Sequence, residues 1–133
     1  MKFAAIGNVA IDENLQDFPA CGGSVLYSSL LGSKLGLETI TITSFGKDFL
    51  ALKPNWRNVR VYPQLKPFST TVDLIYDKKG NRQMILKKEG GIIDNLEKRF
   101  TDIINQYGRD NAILESVVFE KREEIYYFLT FFA

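Results

Sequence analysis

The residues able to do chemistry in this chain crowd into its first fifty positions. Cys21-Gly22-Gly23-Ser24 opens a run of small and apolar residues with helical spacing, and Leu35-Gly36 closes it. A glycine pair lets backbone come close to a ligand, because no Cβ stands in the way. A helix that begins directly after such a pair offers free N–H groups to a polar ligand. Upstream, a first strand ends in Gly7-Asn8-Val9-Ala10-Ile11-Asp12, which brings a carboxylate near the glycines in sequence. The chain has no His and one Cys. Ser–His and Cys–His nucleophiles are therefore excluded, as are zinc sites built on Cys and His. General acid or base work would have to rest on Asp, Glu, Lys or Tyr.

These residues need elements to position them. Residues 3–9 read as a buried strand and 23–35 as a helix. Thr39-Ile40-Thr41-Ile42-Thr43 has the period of a strand with one face buried. Strand, helix and strand in this order make a βαβ unit and call for a parallel sheet. Val59-Arg60-Val61-Tyr62 is a short strand signal. Thr70–Tyr76 and Arg82–Leu86 flank Asp77-Lys78-Lys79-Gly80-Asn81, a hairpin loop with Gly where positive φ is needed. An antiparallel insertion over about 58–88 is therefore expected on an α/β core. Asp94 or Asn95 caps a helix reaching about Tyr107, with Leu96, Phe100, Ile103 and Ile104 on one face and Gly108 at its end. Ala112-Ile113-Leu114 is a strand candidate. Arg122 to Phe132 reads as a last helix, apolar all round, which must be buried against a partner.

With 133 residues, 45% hydrophobic and 25% charged, one ordinary globular domain is expected. A net charge of +1 gives no global field toward nucleic acid or an anionic membrane. No run of about 18 apolar residues is present to span a bilayer, and a single Cys suits a reducing cytoplasm. The start, Met1 to Gly7, fits a core strand better than a signal peptide. A dinucleotide-binding reading would need G-x-G-x-x-G after the first strand, where only Gly7 stands.

Three motifs together resemble the N-terminal part of the ribokinase (PfkB-type) family of sugar and nucleoside kinases. Gly7 to Asp12 resembles the family's first strand and its G-x-x-x-x-D ending. Gly22-Gly23 through Leu35-Gly36 resembles its first signature, a GG pair followed by a helix ending in L-G. Gly46-Lys47-Asp48 resembles the G-x-D after the second strand. Ser69 to Leu86 is similar to the family's lid strands, and Asp110 to Glu124 to the region after its first connecting helices. The resemblance covers most of this chain and about the first two-fifths of a typical member. It implies a single N-terminal domain over 1–133: a partial parallel sheet with helices on its faces, plus a small antiparallel β lid.

The resemblance also implies a site. Asp12, Gly22, Gly23 and Tyr27 would bind the acceptor, a sugar or nucleoside. Asp12 would take hydrogen bonds from its hydroxyls, the glycines would pack on the ring, and the lid would exclude water. ATP and Mg2+ are implied for the full-length family. Three departures stand out. Tyr27 occupies a position that is often Asn, and Phe49-Leu50-Ala51 follows the G-x-D where another Gly is usual. The C-terminal D-T-x-G-A-G-D segment, with its anion hole and catalytic Asp, is absent. No catalytic residue, metal ligand or cofactor is therefore expected in this chain alone. It is expected to be a truncated, inactive, cytoplasmic family member, self-associating through the lid and the last helix. The rival reading is a non-catalytic binding or oligomerisation module.

Each residue also has a plain structural reading. Asp12 suits a turn, Gly22-Gly23 a turn before a helix, Gly36 a C-cap, Asp48 a helix cap and Cys21 a small buried residue. Lys78, Lys79, Arg82, Lys87 and Lys88 suit a solvated hairpin.

Overall fold

Phe3-Ala4-Ala5-Ile6 lies in β1 (Lys2–Ile6), and Glu38 to Phe45 forms β4 (Glu38–Phe45) beside it. The two run parallel from Lys2↔Glu38 to Ile6↔Ile42, and β5 (Val59–Leu65) adds a third parallel strand along β4. The computed structural model describes residues 2–16, 18–91, 93–106, 114–122 and 125–132.

Strand β4 departs from the expectation of one buried face. It is central, and Thr39, Thr41 and Thr43 are as buried as Ile40 and Ile42. Helix α1 (Ser24–Lys34) covers the threonine face and α3 (Leu96–Gln106) the isoleucine face. Threonine survives there because its hydroxyls are used: Thr41 Oγ1 bonds Ser29 Oγ of α1, and Thr43 Oγ1 accepts from the Val9 amide at 3.2 Å. Val25, Leu26, Phe45 and Phe49 fill one side of the sheet. Ile40, Ile42, Phe100 and Ile103 fill the other, as the helical spacing of Leu96, Phe100 and Ile103 requires. Ile104's side chain and Gly108 lie outside what is described.

Gly36 ends α1 as expected. It sits at φ 76°, its amide donates to Ser33 and that of Leu37 to Gly32, the paired bonds of a Schellman cap. The loop at 77–81 also holds: Asp77 Oδ1 accepts from the amides of Lys79 and Asn81, and Gly80 has φ 81°.

The second sheet is assembled differently from the insertion expected at 58–88. Between β1 and α1 the chain forms β2 (Ala10–Gln16) and β3 (Phe18–Gly22). These join β6 (Thr70–Tyr76) and β7 (Arg82–Lys88) in the order β3-β2-β6-β7. β2 runs antiparallel to β3 but parallel to β6. Val59–Leu65, read as part of the insertion, belongs to the parallel sheet instead.

The C-terminal helix is a correction. Ile125 to Phe132 is a strand, β9 (Ile125–Phe132), paired antiparallel with β8 (Leu114–Arg122). A short run apolar on every side fits either state by periodicity. Ile-Tyr-Tyr-Phe-Leu-Thr-Phe-Phe is rich in residues that favour a pleated surface, and that preference decides it. Association through a last helix therefore has no helix to act through. Residues 107–113, which hold Tyr107, Gly108, Asp110 and the strand candidate Ala112-Ile113, lie outside the described residues. α2 (Lys47–Ala51) completes the elements. Among the described residues, no helix is long and apolar enough to cross a membrane.

Candidate functional site

Asp12 is the third residue of β2, not the end of β1. In the second sheet it stands opposite Ala20 of β3 and Val72 of β6. The residue is 4% exposed, and its carboxylate leans over Gly22. A Cβ built on Gly22 would lie 1.9 Å from Asp12 Oδ2. The glycine is therefore where the carboxylate rests. Among the described residues, no hydrogen-bond donor meets this carboxylate. Burial pushes its pKa up from the ordinary 3.8, and the positive charge of Arg82 partly pulls it back.

Gly23 serves the backbone. It has φ 97°, and a Cβ there would lie 2.9 Å from the Ala10 amide nitrogen. The Leu26 and Tyr27 amides both donate to its carbonyl, so it starts α1 where β2 and the helix nearly touch. Tyr27, in the first turn of α1, is 52% exposed. Burial raises its pKa first, and the charges of Asp12, Cys21 and Tyr76 add to the rise. The structure thus brings Asp12, Gly22, Gly23 and Tyr27 into one place.

It also adds residues that sequence reasoning had left out. Alternation along β6 puts Val72, Leu74 and Tyr76 on the Asp12 face, and Tyr76 pairs with Arg82 of β7. The hairpin pattern was enough to set Tyr76 opposite Arg82. Nothing local tells that β2 lies alongside β6, so the face they share with Asp12 was not readable. Arg82, exposed as expected of a solvated hairpin, also acts as a charge on the Asp12 carboxylate. Cys21 is half-buried, and burial and then the Asp12 charge raise its pKa, which suits an unreactive thiol.

The opposite face of the same sheet borders a separate cavity of about 480 Å³, lined among others by Ile11, Glu13, Thr71, Asp48 and Lys88. Asp48 there has a structural task. Its carboxylate accepts from the Ser69 hydroxyl at 2.6 Å, the Ser69 amide at 3.0 Å and the Phe49 amide at 2.9 Å. This ties α2 to the start of β6. It is not the N-cap of α2, where Gly46 stands. Burial alone would raise the Asp48 pKa, but the hydrogen bonds from Ser69 and Phe49 and the Lys88 charge bring it below 3.8. Its stabilising effect is therefore complete above the ordinary carboxylate range and lost as pH falls through the lowered folded value. Asp48→Asn should lower the melting temperature at pH 7 and leave little difference from the parent near pH 2. Equal loss at both pH values would show that the charge is not what holds the latch.

Known proteins give the frame for this geometry. The sequence matches no family model and no curated protein. Solved structures do match. A pyrophosphate-dependent kinase in the ribokinase family, complexed with a pyrophosphate analog and myo-inositol, superposes with TM-score 0.57 at 20% identity, covering 73% of this chain and 36% of that one. A sulfate complex of a pyrophosphate-dependent kinase in the ribokinase family gives 0.53 at 23%, covering 74% and 36%. A possible 1-phosphofructokinase from Thermotoga maritima gives 0.52 at 14%, covering 79% and 40%. This chain carries part of the ribokinase fold. It spans 36 to 40% of the length of those three proteins. The α/β class and the partial parallel sheet expected from the motifs are both present.

The resemblance implies ATP and Mg2+ for the full-length family. Among the described residues, no group of three or more His, Cys, Asp or Glu is placed to hold a metal ion. Two carboxylates do other work: Asp48 accepts from Ser69, and Asp94 accepts from Lys66 and Gln64.

Proposed function

We propose that these residues form the acceptor-substrate side of a ribokinase-type kinase, with phosphoryl transfer dependent on residues outside the 133. The observation that carries this reading is the Asp12 carboxylate: buried, without a donor among the described residues, and seated over a glycine. A buried charge left without hydrogen bonds is costly. Hydroxyl groups of a bound polyol would supply the missing donors, and a carboxylate offers two oxygens to a diol. Asp12 binds the hydroxyls and Tyr27 borders the ring, while Gly22 makes room for the carboxylate and Gly23 for the β2 backbone. The β3-β2-β6-β7 sheet acts as a lid. The myo-inositol named with one structural neighbour supports a neutral polyol among the acceptors to be tried.

Calorimetry on the 133-residue chain with ribose, fructose, adenosine and myo-inositol tests the site. At least one should bind, and Asp12→Asn should remove the heat. The same chain should transfer no phosphoryl group from ATP or pyrophosphate to any of them, since it lacks the family's anion hole and base. Turnover by the pure chain would sink that part of the reading.

One observation favours a second reading, an associating module. β7 is an edge strand whose residues are all exposed, Met84, Ile85 and Leu86 among them. Open apolar edges of this kind invite pairing with another chain. Absence of ligand heat together with a stable dimer in light scattering would move the balance to it.

A further inference from the structure

The cavity of about 480 Å³ on the far face of the second sheet has no part in the acceptor site. It lies between that sheet and Leu52 at the end of α2, on the side of β2 that carries Ile11 and Glu13 rather than Asp12. Its size is that of a small-molecule site. A β-bulge shapes one wall. Thr71 pairs with Lys88 and Val72 with Leu86, so Lys87 is an extra residue in β7. Consecutive residues of a regular strand point to opposite faces, yet Lys87 and Lys88 both line this cavity. The bulge brings one ammonium round to the side of the other.

Two of the four charges around the cavity are engaged within the fold. Lys88 Nζ lies 4.5 Å from the centre of the Phe68 ring, and the Asp48 oxygens are filled by Ser69 and Phe49. The other two are not. Among the described residues the ion pairs are Lys66–Asp94 and Lys98–Asp102, and neither Glu13 nor Lys87 has a hydrogen-bond or charge partner. One carboxylate and one ammonium therefore remain, on β2 and β7 with β6 between them, roughly 10 Å apart at the spacing of neighbouring strands. Ile11, Pro19 and Leu52 give the same cavity an apolar wall. We infer that it binds a free aliphatic α-amino acid of the leucine type, with the carboxylate on Lys87, the ammonium on Glu13 and the side chain against Ile11, Pro19 and Leu52. Other small molecules fit less well. Two carboxylates and two ammoniums leave no net charge to draw a phosphate. A fatty carboxylate would satisfy Lys87 and leave Glu13 without a donor, and a sugar would set its hydroxyls against the apolar wall. The inference is independent of the acceptor reading, because Asp12 faces the other way.

Calorimetry on the whole chain with five probes tests it: leucine, leucinamide, 4-methylpentanoate, glycine and inorganic phosphate. Leucinamide lacks the carboxylate, 4-methylpentanoate the ammonium and glycine the side chain. Leucine should bind, and each of the others should bind about tenfold more weakly or less, since a lost charged hydrogen bond or a lost apolar contact costs that much. Lys87→Gln and Glu13→Gln should each weaken leucine about tenfold. Lys78→Gln, in the exposed hairpin loop, and Asp12→Asn, on the opposite face, should leave leucine binding unchanged. Leucine should also raise the melting temperature of the parent and not that of Lys87→Gln. Both site variants change exposed or half-buried strand residues, and an unchanged circular dichroism spectrum will confirm that they fold. No heat with leucine, 4-methylpentanoate or phosphate binding as tightly as leucine, or leucine binding indifferent to Lys87→Gln would overturn the inference. So would loss of leucine binding in Asp12→Asn, which would place the ligand on the other face. None of these results bears on whether a polyol binds at Asp12.

Discussion

Asparagine at position 12 should make the empty protein more stable at neutral pH and cost it its ligand. The sign follows from burial. In the unfolded chain the Asp12 carboxyl titrates near 3.8, whereas in the fold burial holds it higher despite Arg82. Between those two values the unfolded chain has given up the proton and the folded one keeps it. Stability therefore falls as pH rises through the folded value, and the cost is absent below 3.8. Asp12→Asn removes the charge at similar size. A gain of about 1 kcal/mol or more is expected at pH 7, or roughly 3–6 °C in melting temperature. The gain should vanish near pH 3. A polyol or nucleoside should lose affinity roughly 10- to 100-fold, since hydrogen bonds to a charged acceptor contribute about 1.5–3 kcal/mol. Thermal melts from pH 3 to 8 check the first part and calorimetry the second. A variant less stable than the parent at pH 7 would mean that the carboxylate has a partner the structure does not place.

Alanine at position 22 should do the reverse on stability and the same on binding. The new methyl would sit 1.9 Å from Asp12 Oδ2 and 2.4 Å from its Cγ, so the side chain must leave. Forcing an extra carbon into a filled site costs about 1–3 kcal/mol. Melting should drop by roughly 3–10 °C, with loss of ligand heat. The decisive measurement is the double variant Asp12→Ala with Gly22→Ala. Removing the carboxylate vacates the space, so the double variant should melt above Gly22→Ala alone, a non-additivity expected for residues in contact. Additive losses would place the obstruction elsewhere, and binding should be absent in both.

How much of this was legible in the chain differs from element to element. α1 and its close at Gly36 were readable because cap chemistry is local. So was the 77–81 loop, which needs only Asp77, Gly80 and Asn81 in their places. β2 and β3 were not. Asp-Glu-Asn-Leu-Gln lacks the alternation of a half-buried strand, and Pro19 argues against an interior one. They become strands through pairing with each other and with β6, a contact between Ala10 and Thr70 that no window along the chain contains. The site divides in the same way. Asp12, Gly22, Gly23 and Tyr27 lie close together in sequence, whereas Tyr76 and Arg82 join them only through that long-range pairing. β4's buried threonines and the β8–β9 hairpin were misread because period alone does not report what covers a face.

The pairing of β2 with β6 is only three residues long, Ala10↔Thr70 to Asp12↔Val72. Neighbouring side chains on a strand point to opposite faces, so a slip of one residue would exchange Asp12 for Ile11. The carboxylate would then turn toward the cavity beside Asp48, and an aliphatic side chain would lie over Gly22. The phase of the strand is set just before it begins. Asn8 Nδ2 donates to the Gly91 carbonyl at 2.7 Å, Ser44 Oγ donates to Asn8 Oδ1 at 2.8 Å, and the Val9 amide donates to Thr43. The Asn8 side chain bonds Gly91 and Ser44, neither of them in the site, yet it acts as the index mark of the sheet: it sets which chemistry the Asp12 face presents.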